Sequence, residues 1–174
     1  MDQKVILVDE NDREIGLEEK LKAHQDGGRL HRAVSVFVFN KKGEVMMQKR
    51  ALGKYHEGGK WSSTCCSHPM PGEMPIDAAH RRLREEMGFD CELKEVGSFI
   101  YKAVLGKGLV EWEYDHFFKG VHESDPRPSK EEVEDWRWES VEGIRERIKK
   151  NPKEYAGFFL AFFERAVEAM ESHR

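Results

Sequence analysis

The sequence predicts an α+β fold, and three observations carry that reading. The Val- and Phe-rich stretch from Ala33 to Phe39, the turn residues Asn40-Lys41-Lys42-Gly43 and the stretch from Glu44 to Arg50 together read as a β-hairpin. From Pro75 to Met87, the residues Ile76, Ala79, Leu83 and Met87 recur at helical spacing, with Pro75 suited to the first turn and Gly88 to the stop. Two further helices, 141–150 and 153–172, close the chain and are separated by Asn151-Pro152. Strands with one central helix and terminal helices form an α+β, sandwich-like domain.

Taken in order, residues 18–24 read as a short helix ending before Gly27-Gly28. The first hairpin strand is apolar on both faces, which predicts a central position. Strands are expected over 95–104 and 109–119, then a turn-rich stretch from His122 to Pro128. Ser129-Lys130-Glu131-Glu132 has the form of a capping box, but the alternation around Trp136 and Trp138 favours a strand over 133–139. No repeat, low-complexity tract or linker divides the chain, so residues 1–174 are expected to form a single domain.

Composition narrows the function classes. A net charge of −4 on 174 residues argues against a general polyanion binder, and nucleic acid is not an expected partner. The longest clear apolar run, Ala156 to Phe163, falls far short of the ~20 residues of a membrane helix. The N-terminal run Val5 to Val8 is followed at once by Asp9 and Glu10, unlike a secretory signal. Three cysteines, of which Cys65 and Cys66 are adjacent, make a poor disulfide framework and suit a reducing compartment, so a cytoplasmic protein is expected.

The densest chemistry lies in Trp61-Ser62-Ser63-Thr64-Cys65-Cys66-Ser67-His68-Pro69-Met70-Pro71-Gly72-Glu73 and in Arg81-Arg82-Leu83-Arg84-Glu85-Glu86-Met87-Gly88. The second block resembles the Nudix signature, a loop–helix–loop ending in Arg-Glu-apolar-x-Glu-Glu-x-Gly whose glutamates hold divalent cations on a diphosphate. With the Cys-Cys-Ser-His-Pro stretch, the chain is identified as similar to the type I isopentenyl-diphosphate isomerases, its matching motifs running from about Lys20 to Glu113. The resemblance implies a Nudix fold, with mixed β-sheets sandwiched by helices and the Nudix loop–helix–loop. It also implies interconversion of isopentenyl and dimethylallyl diphosphate in isoprenoid biosynthesis. Two positions depart from the hydrolase signature: Arg82 replaces the glutamate after the first arginine, and Ser67 stands at the opening glycine. Exchanging a carboxylate for a cation weakens a multi-metal hydrolytic assembly and offers a partner for a phosphate instead. A pyrophosphohydrolase and a non-catalytic diphosphate sensor are the competing readings. Intact Cys66, Glu86 and Glu113 argue against the sensor.

Site roles follow from the same resemblance. His24, His31, His68, Glu111 and Glu113 match the family's metal-binding positions, and such a donor set suits six-coordinate Mn²⁺, Mg²⁺ or Zn²⁺. Each taken alone is ordinarily a solvated or core side chain, and the joint match is what singles them out. The period-2 geometry of a strand places Glu111 and Glu113 on one face, with Trp112 and Tyr114 on the other. Glu86, with the carbonyl of Cys66, is implied to hold a Mg²⁺ on the diphosphate. Cys66 matches the catalytic thiol, opposed by Glu113 with Tyr101. A structural zinc at Cys65, Cys66 and His68 lacks its second ligand pair, because Cys91 is isolated; Cys65 and Cys91 read as packing residues. Lys20, Arg29, Arg50, Lys54 and Arg82 match the family's basic positions and are expected to grip the diphosphate. Trp61 and the aromatics Tyr155, Phe158 and Phe159 are expected to line the pocket, Phe158 standing where the family usually has tryptophan. A stripe packing the last helix onto the core explains Phe159, Phe162 and Phe163 equally well. The only expected partner is a small diphosphate, with no nucleic acid or membrane, and the chain is expected to be a monomer or weak dimer.

Overall fold

In the computed structural model, which describes residues 3–173, the Val- and Phe-rich segment lies at the centre of the sheet. The elements are β1 (Lys4–Val8), β2 (Glu14–Glu19), α1 (Lys20–Ala23), β3 (His31–Phe39), β4 (Glu44–Arg50), β5 (Trp61–Ser62), β6 (Cys65–Ser67) and α2 (Pro75–Met87). They continue with β7 (Leu93–Val104), β8 (Val110–Val121), β9 (Val133–Ser140), α3 (Val141–Lys150) and α4 (Gly157–Ser172). Strand β3 pairs antiparallel with β6 and parallel with β8, in register from His31↔Glu113 to Phe39↔Val121. It meets β1 at Leu7↔His31 and β4 at Phe39↔Val45, so the hairpin partner touches it only beside the turn. Strand β4 instead runs along β9, and β7 along β8.

Helices cover both faces of this mixed sheet, which is why β3 is apolar on both sides. Val34, Val36 and Val38 pack with Leu83 and Met87 of α2, whereas Phe37 and Phe117 pack with Phe159 and Phe162 of α4. Alternate strand residues thus feed an aliphatic core under α2 and an aromatic core under α4. Helix α2 has the predicted limits. Gly88 ends it at φ 73°, and a Cβ there would lie 2.2 Å from the Arg127 carbonyl oxygen, so the position needs glycine.

Three expectations change. The last helix begins at Gly157, not 153, because Pro152–Glu154 form a 3₁₀ turn and Tyr155 is extended. Tyr155 bridges Trp61, the Ala156 amide donates to the Trp61 carbonyl at 3.0 Å, and the Tyr155 ring is buried in the aromatic core. Burying that ring at the sheet edge overrides a continuous helix. The hairpin β1–β2 and the short strands β5 and β6 also stand where no strand was expected. Val5 to Val8 are buried together without the alternation that betrays a strand, and β5 and β6 are too short to show a period. No helix among the described residues is long and apolar enough to cross a membrane.

Candidate active site

Strand register assembles the centre of the site. Glu113 of β8 has His31 of β3 as its neighbour on one side and Tyr101 of β7 on the other. The Tyr101 hydroxyl donates to Glu113 Oε2 at 2.5 Å, and His68 Nε2 lies 2.9 Å from Oε1. Glu111, two residues earlier on the same face, meets His24 Nε2 at 2.8 Å through Oε2. The ligand atoms of His24, His31, His68, Glu111 and Glu113 all lie within 4.8 Å of one another, and all five residues are buried.

The chemistry of this donor set fits a divalent cation. His24 Nδ1 donates to the Lys20 carbonyl at 2.6 Å and His31 Nδ1 to the Arg29 carbonyl at 2.7 Å, so both rings turn Nε2, the atom a divalent cation would take, into the cluster. His31 Nε2 and His68 Nε2 lie only 3.1 Å apart. Burial, reinforced by Lys20, His31 and His24, holds His68 well below the usual imidazole range, leaving it neutral with a lone pair to give. Burial pushes Glu113 upward, but the hydrogen bond and charge of His31 outweigh it and hold the carboxyl down at about 2. Glu111 is likewise kept below its ordinary value, against burial and Glu113, by hydrogen bonds from His24 and His56.

Cys66 lies on β6, across β3 from this cluster. Its register partner is Ser35, and Cys65, pointing the other way, is buried in the aliphatic core under α2. The Cys66 Sγ is surrounded by hydroxyls: Ser63 at 2.9 Å, Ser35 at 3.4 Å and Ser62 at 3.7 Å. Ser35 also donates to buried Asp115 at 2.7 Å. Burial, with Asp115 behind it, pushes the Cys66 thiol up to about 12 despite the three hydroxyls.

A cavity of about 240 Å³ joins these groups: Cys66, His68, Tyr101, Glu111 and Glu113 line it, together with Lys20, Arg50, Lys54, Arg82 and Phe158. Among the described residues, the buried side-chain atoms lacking any hydrogen-bond partner are Arg50 Nε, His56 Nδ1, His68 Nδ1, Arg82 Nε and Asp115 Oδ1. All but Asp115 belong to the cavity wall. Buried polar atoms without protein partners suit a wall that receives a polar ligand.

Several expected residues stand elsewhere. Arg29 points outward and pairs with Glu18 at 2.7 Å; it serves the site through its carbonyl, not its guanidinium. Trp61 packs in the aromatic core with the Arg137 guanidinium 3.9 Å from its ring centroid, off the cavity wall, and Tyr155 and Phe159 are core residues too. Phe158 does reach the wall, with Arg50 5.2 Å from its ring centroid. Glu86 stands behind the wall, accepting from Arg82 at 2.6 Å and from Gln48 at 2.9 Å. Residues that sequence reasoning passed over include Tyr55, His56, Ser35, Ser63, Asp115 and Glu132. For Asp115 a signal existed, since it continues the period-2 face of Glu111 and Glu113; for the loop residues 55 and 56 none did.

Comparison with known proteins agrees with this geometry. The model of the NUDIX domain matches residues 29–162. An isopentenyl-diphosphate Delta-isomerase 2 of Aromatoleum aromaticum is 48% identical, the match covering 96% of this chain and 88% of that one. The isopentenyl-diphosphate Delta-isomerase of Serratia proteamaculans is 41% identical over 94% of this chain and 91% of its own. Among solved structures, the DR0079 protein of Deinococcus radiodurans shares the fold at a TM-score of 0.77 with 18% identity, covering 99% of this chain and all of its own. A MutT protein of Methanosarcina mazei does so at 0.64 with 21% identity, over 80% of this chain and 94% of that one. Buried imidazoles and carboxylates facing a thiol across a cation-lined cavity, and full-length relatives of one name, lead to one assignment: the chain belongs to the NUDIX superfamily and, within it, to the isopentenyl-diphosphate Delta-isomerases.

Proposed function

We propose that this enzyme interconverts isopentenyl and dimethylallyl diphosphate by moving protons between Cys66 on one face of the five-carbon unit and Tyr101–Glu113 on the other. One observation carries the reading: the thiol and the phenol–carboxylate pair line the same cavity as four cationic side chains, two of which hold buried nitrogens without partners. Lys20, Arg50, Lys54 and Arg82 grip the diphosphate, and that grip fixes the hydrocarbon end between acid and base.

In the isopentenyl-to-dimethylallyl direction the Tyr101–Glu113 side delivers a proton to the terminal CH₂ carbon, leaving a tertiary cation at C3. Cys66, as thiolate, then removes a proton from C2, and the new double bond forms between C2 and C3. The reverse direction exchanges the roles, and no proton is gained or lost overall. Tyr101 is a neutral phenol, because burial and the ionised Glu113 hold its proton on, so it can pass a proton between carboxylate and alkene. The resting thiol and ionised carboxylate of the free chain are the states that the dimethylallyl-to-isopentenyl direction requires. The Phe158 ring on the cavity wall suits stabilisation of the cation, an aromatic face being worth roughly 0.5–2 kcal/mol. A divalent ion held by His24, His31, His68, Glu111 and Glu113, of the Mn²⁺, Mg²⁺ or Zn²⁺ kind, supplies positive charge that withdraws electron density from Glu113, and Glu86 is the residue for a Mg²⁺ on the diphosphate. Arg82 ties up Glu86, which speaks against a hydrolytic multi-metal assembly. The three free cysteines, one of them catalytic in this reading, support a reducing, cytoplasmic setting.

Incubation with isopentenyl diphosphate and Mg²⁺ in deuterated water tests the proposal. Dimethylallyl diphosphate carrying solvent deuterium should appear without released phosphate. Phosphate release without the isomer overturns it, and so does binding without turnover.

A further inference from the structure

Neither the proton-transfer scheme nor the metal cluster uses His56, a buried imidazole on the cavity wall. His56 lies in the connection 51–60 between β4 and β5 and is 9% exposed. Its Nε2 lies 3.0 Å from Glu111 Oε1, while His24 Nε2 takes the other carboxylate oxygen at 2.8 Å. An ionised carboxylate only accepts, so the proton of the His56–Glu111 bond sits on His56 Nε2. His24 differs: its Nδ1 is committed to the Lys20 carbonyl, so the nitrogen it shares with Glu111 is the one that faces the cluster and the one a divalent cation would take in place of the proton. The two imidazoles therefore treat the two oxygens of Glu111 unequally.

The place of His56 is built from several directions. Its ring meets Tyr55 edge-on at 4.1 Å and Phe158 at 6.0 Å between centroids, and its carbonyl accepts from the Arg50 guanidinium at 3.2 Å. The next residue, Glu57, adopts φ 54° and accepts from the Gly157 amide at the start of α4 at 2.5 Å. A left-handed backbone at a non-glycine residue is sustained only where its surroundings insist on it. Gly58 follows where a Cβ would lie 2.6 Å from the Leu52 carbonyl oxygen.

We propose that His56 is a positioning residue for the divalent-cation site: its Nε2–H holds Glu111 Oε1 and so fixes the carboxylate with Oε2 turned to the cluster. The inference rests on reading His24, His31, His68, Glu111 and Glu113 as that site. An imidazole or carboxylate held from behind in this way keeps a ligand oriented, and losing the holder typically costs about 10–100-fold in metal affinity. The same bond ties the connection that carries Lys54 to strand β8, so the diphosphate grip and the metal cluster share an anchor.

The test is Mn²⁺ binding to the chelator-stripped protein, by calorimetry or by the spin-resonance signal of free Mn²⁺, alongside thermal melting. His56→Phe keeps a ring between Tyr55 and Phe158 but has no donor. It should lose about 10–100-fold in Mn²⁺ affinity with the melting temperature of the stripped protein unchanged. His56→Gln, whose amide nitrogen can take the place of Nε2, should recover most of the loss, and the shorter His56→Asn should not. Parental Mn²⁺ affinity in folded His56→Phe overturns the proposal. If that variant does not fold, equal affinities in the Gln and Asn variants overturn it. Either result leaves isomerisation by the parent enzyme untouched, whereas a parent that binds no Mn²⁺ removes the metal site and this proposal together.

Discussion

The two ends of the cavity are built differently. At the proposed acid–base end, Glu113, His31, Tyr101, Glu111 and Cys66 are carried on strands whose register sets their spacing. At the proposed diphosphate end, Lys20 begins α1, Arg50 ends β4, Lys54 belongs to the connection 51–60 and Arg82 lies on α2. Cations there already have partners: Lys54 is paired with Glu132, and Arg82 with Glu85 and Glu86. In the proposed reading, an arriving diphosphate takes these cations over from carboxylates. The difference suits the roles proposed for the two ends: proton transfer fails when groups shift by about 1 Å, whereas attraction between charges decays only slowly with distance.

That contrast can be broken most severely at the rigid end. Cys66→Ala and Glu113→Gln should each cut turnover by about 10²–10⁴-fold or more with the melting transition retained, as followed by NMR of the two diphosphates. Substantial activity in either variant would mean that the strand-built end does not hold the acid–base pair. At the gripping end Arg82→Ala should act mainly on KM. Hydrogen bonds to charged groups are worth about 1.5–3 kcal/mol, so a rise of roughly 10–100-fold is expected, with kcat affected less. A fall in kcat alone would contradict a purely gripping role.

Lys54 sharpens the comparison through pH. Burial brings its ammonium down to about 8. The group is cationic below that pH and loses its charge as pH rises through it, so kcat/KM should fall on the alkaline side. Lys54→Arg, which stays charged, should flatten that limb; an unchanged fall would assign it to another group. The smallest effect is expected at Arg29. Its guanidinium makes an outward ion pair with Glu18 and its contribution to the site is a carbonyl, so Arg29→Ala should change kcat/KM by less than about twofold.

The same division explains what could be read from the chain. Helix α2 was legible to the residue because its stop signal, its first-turn proline and its apolar period are all local. Glu111 and Glu113 were legible as a pair because a strand's period is fixed, and Cys65 and Cys66 take different roles because neighbours on a strand face opposite ways. Arg29 misled because a carbonyl contact leaves no trace in side-chain identity. Trp61 misled because Arg137, 76 positions away, covers its ring in the core.

By itself, the sequence determined the α+β class, the central apolar strand and the signature helix, since each of these rests on short-range period, while the set of thiol, imidazole and carboxylate groups was legible only through the family resemblance that its motifs carry. Only the tertiary structure decided that His31 and Tyr101 flank Glu113, that Ser35 and Ser63 surround Cys66, that His56 reaches Glu111, and that Phe158 rather than Trp61 meets the cavity. Those are contacts between strands and loops distant along the chain. Their partners are chosen by register and burial, which no local pattern encodes.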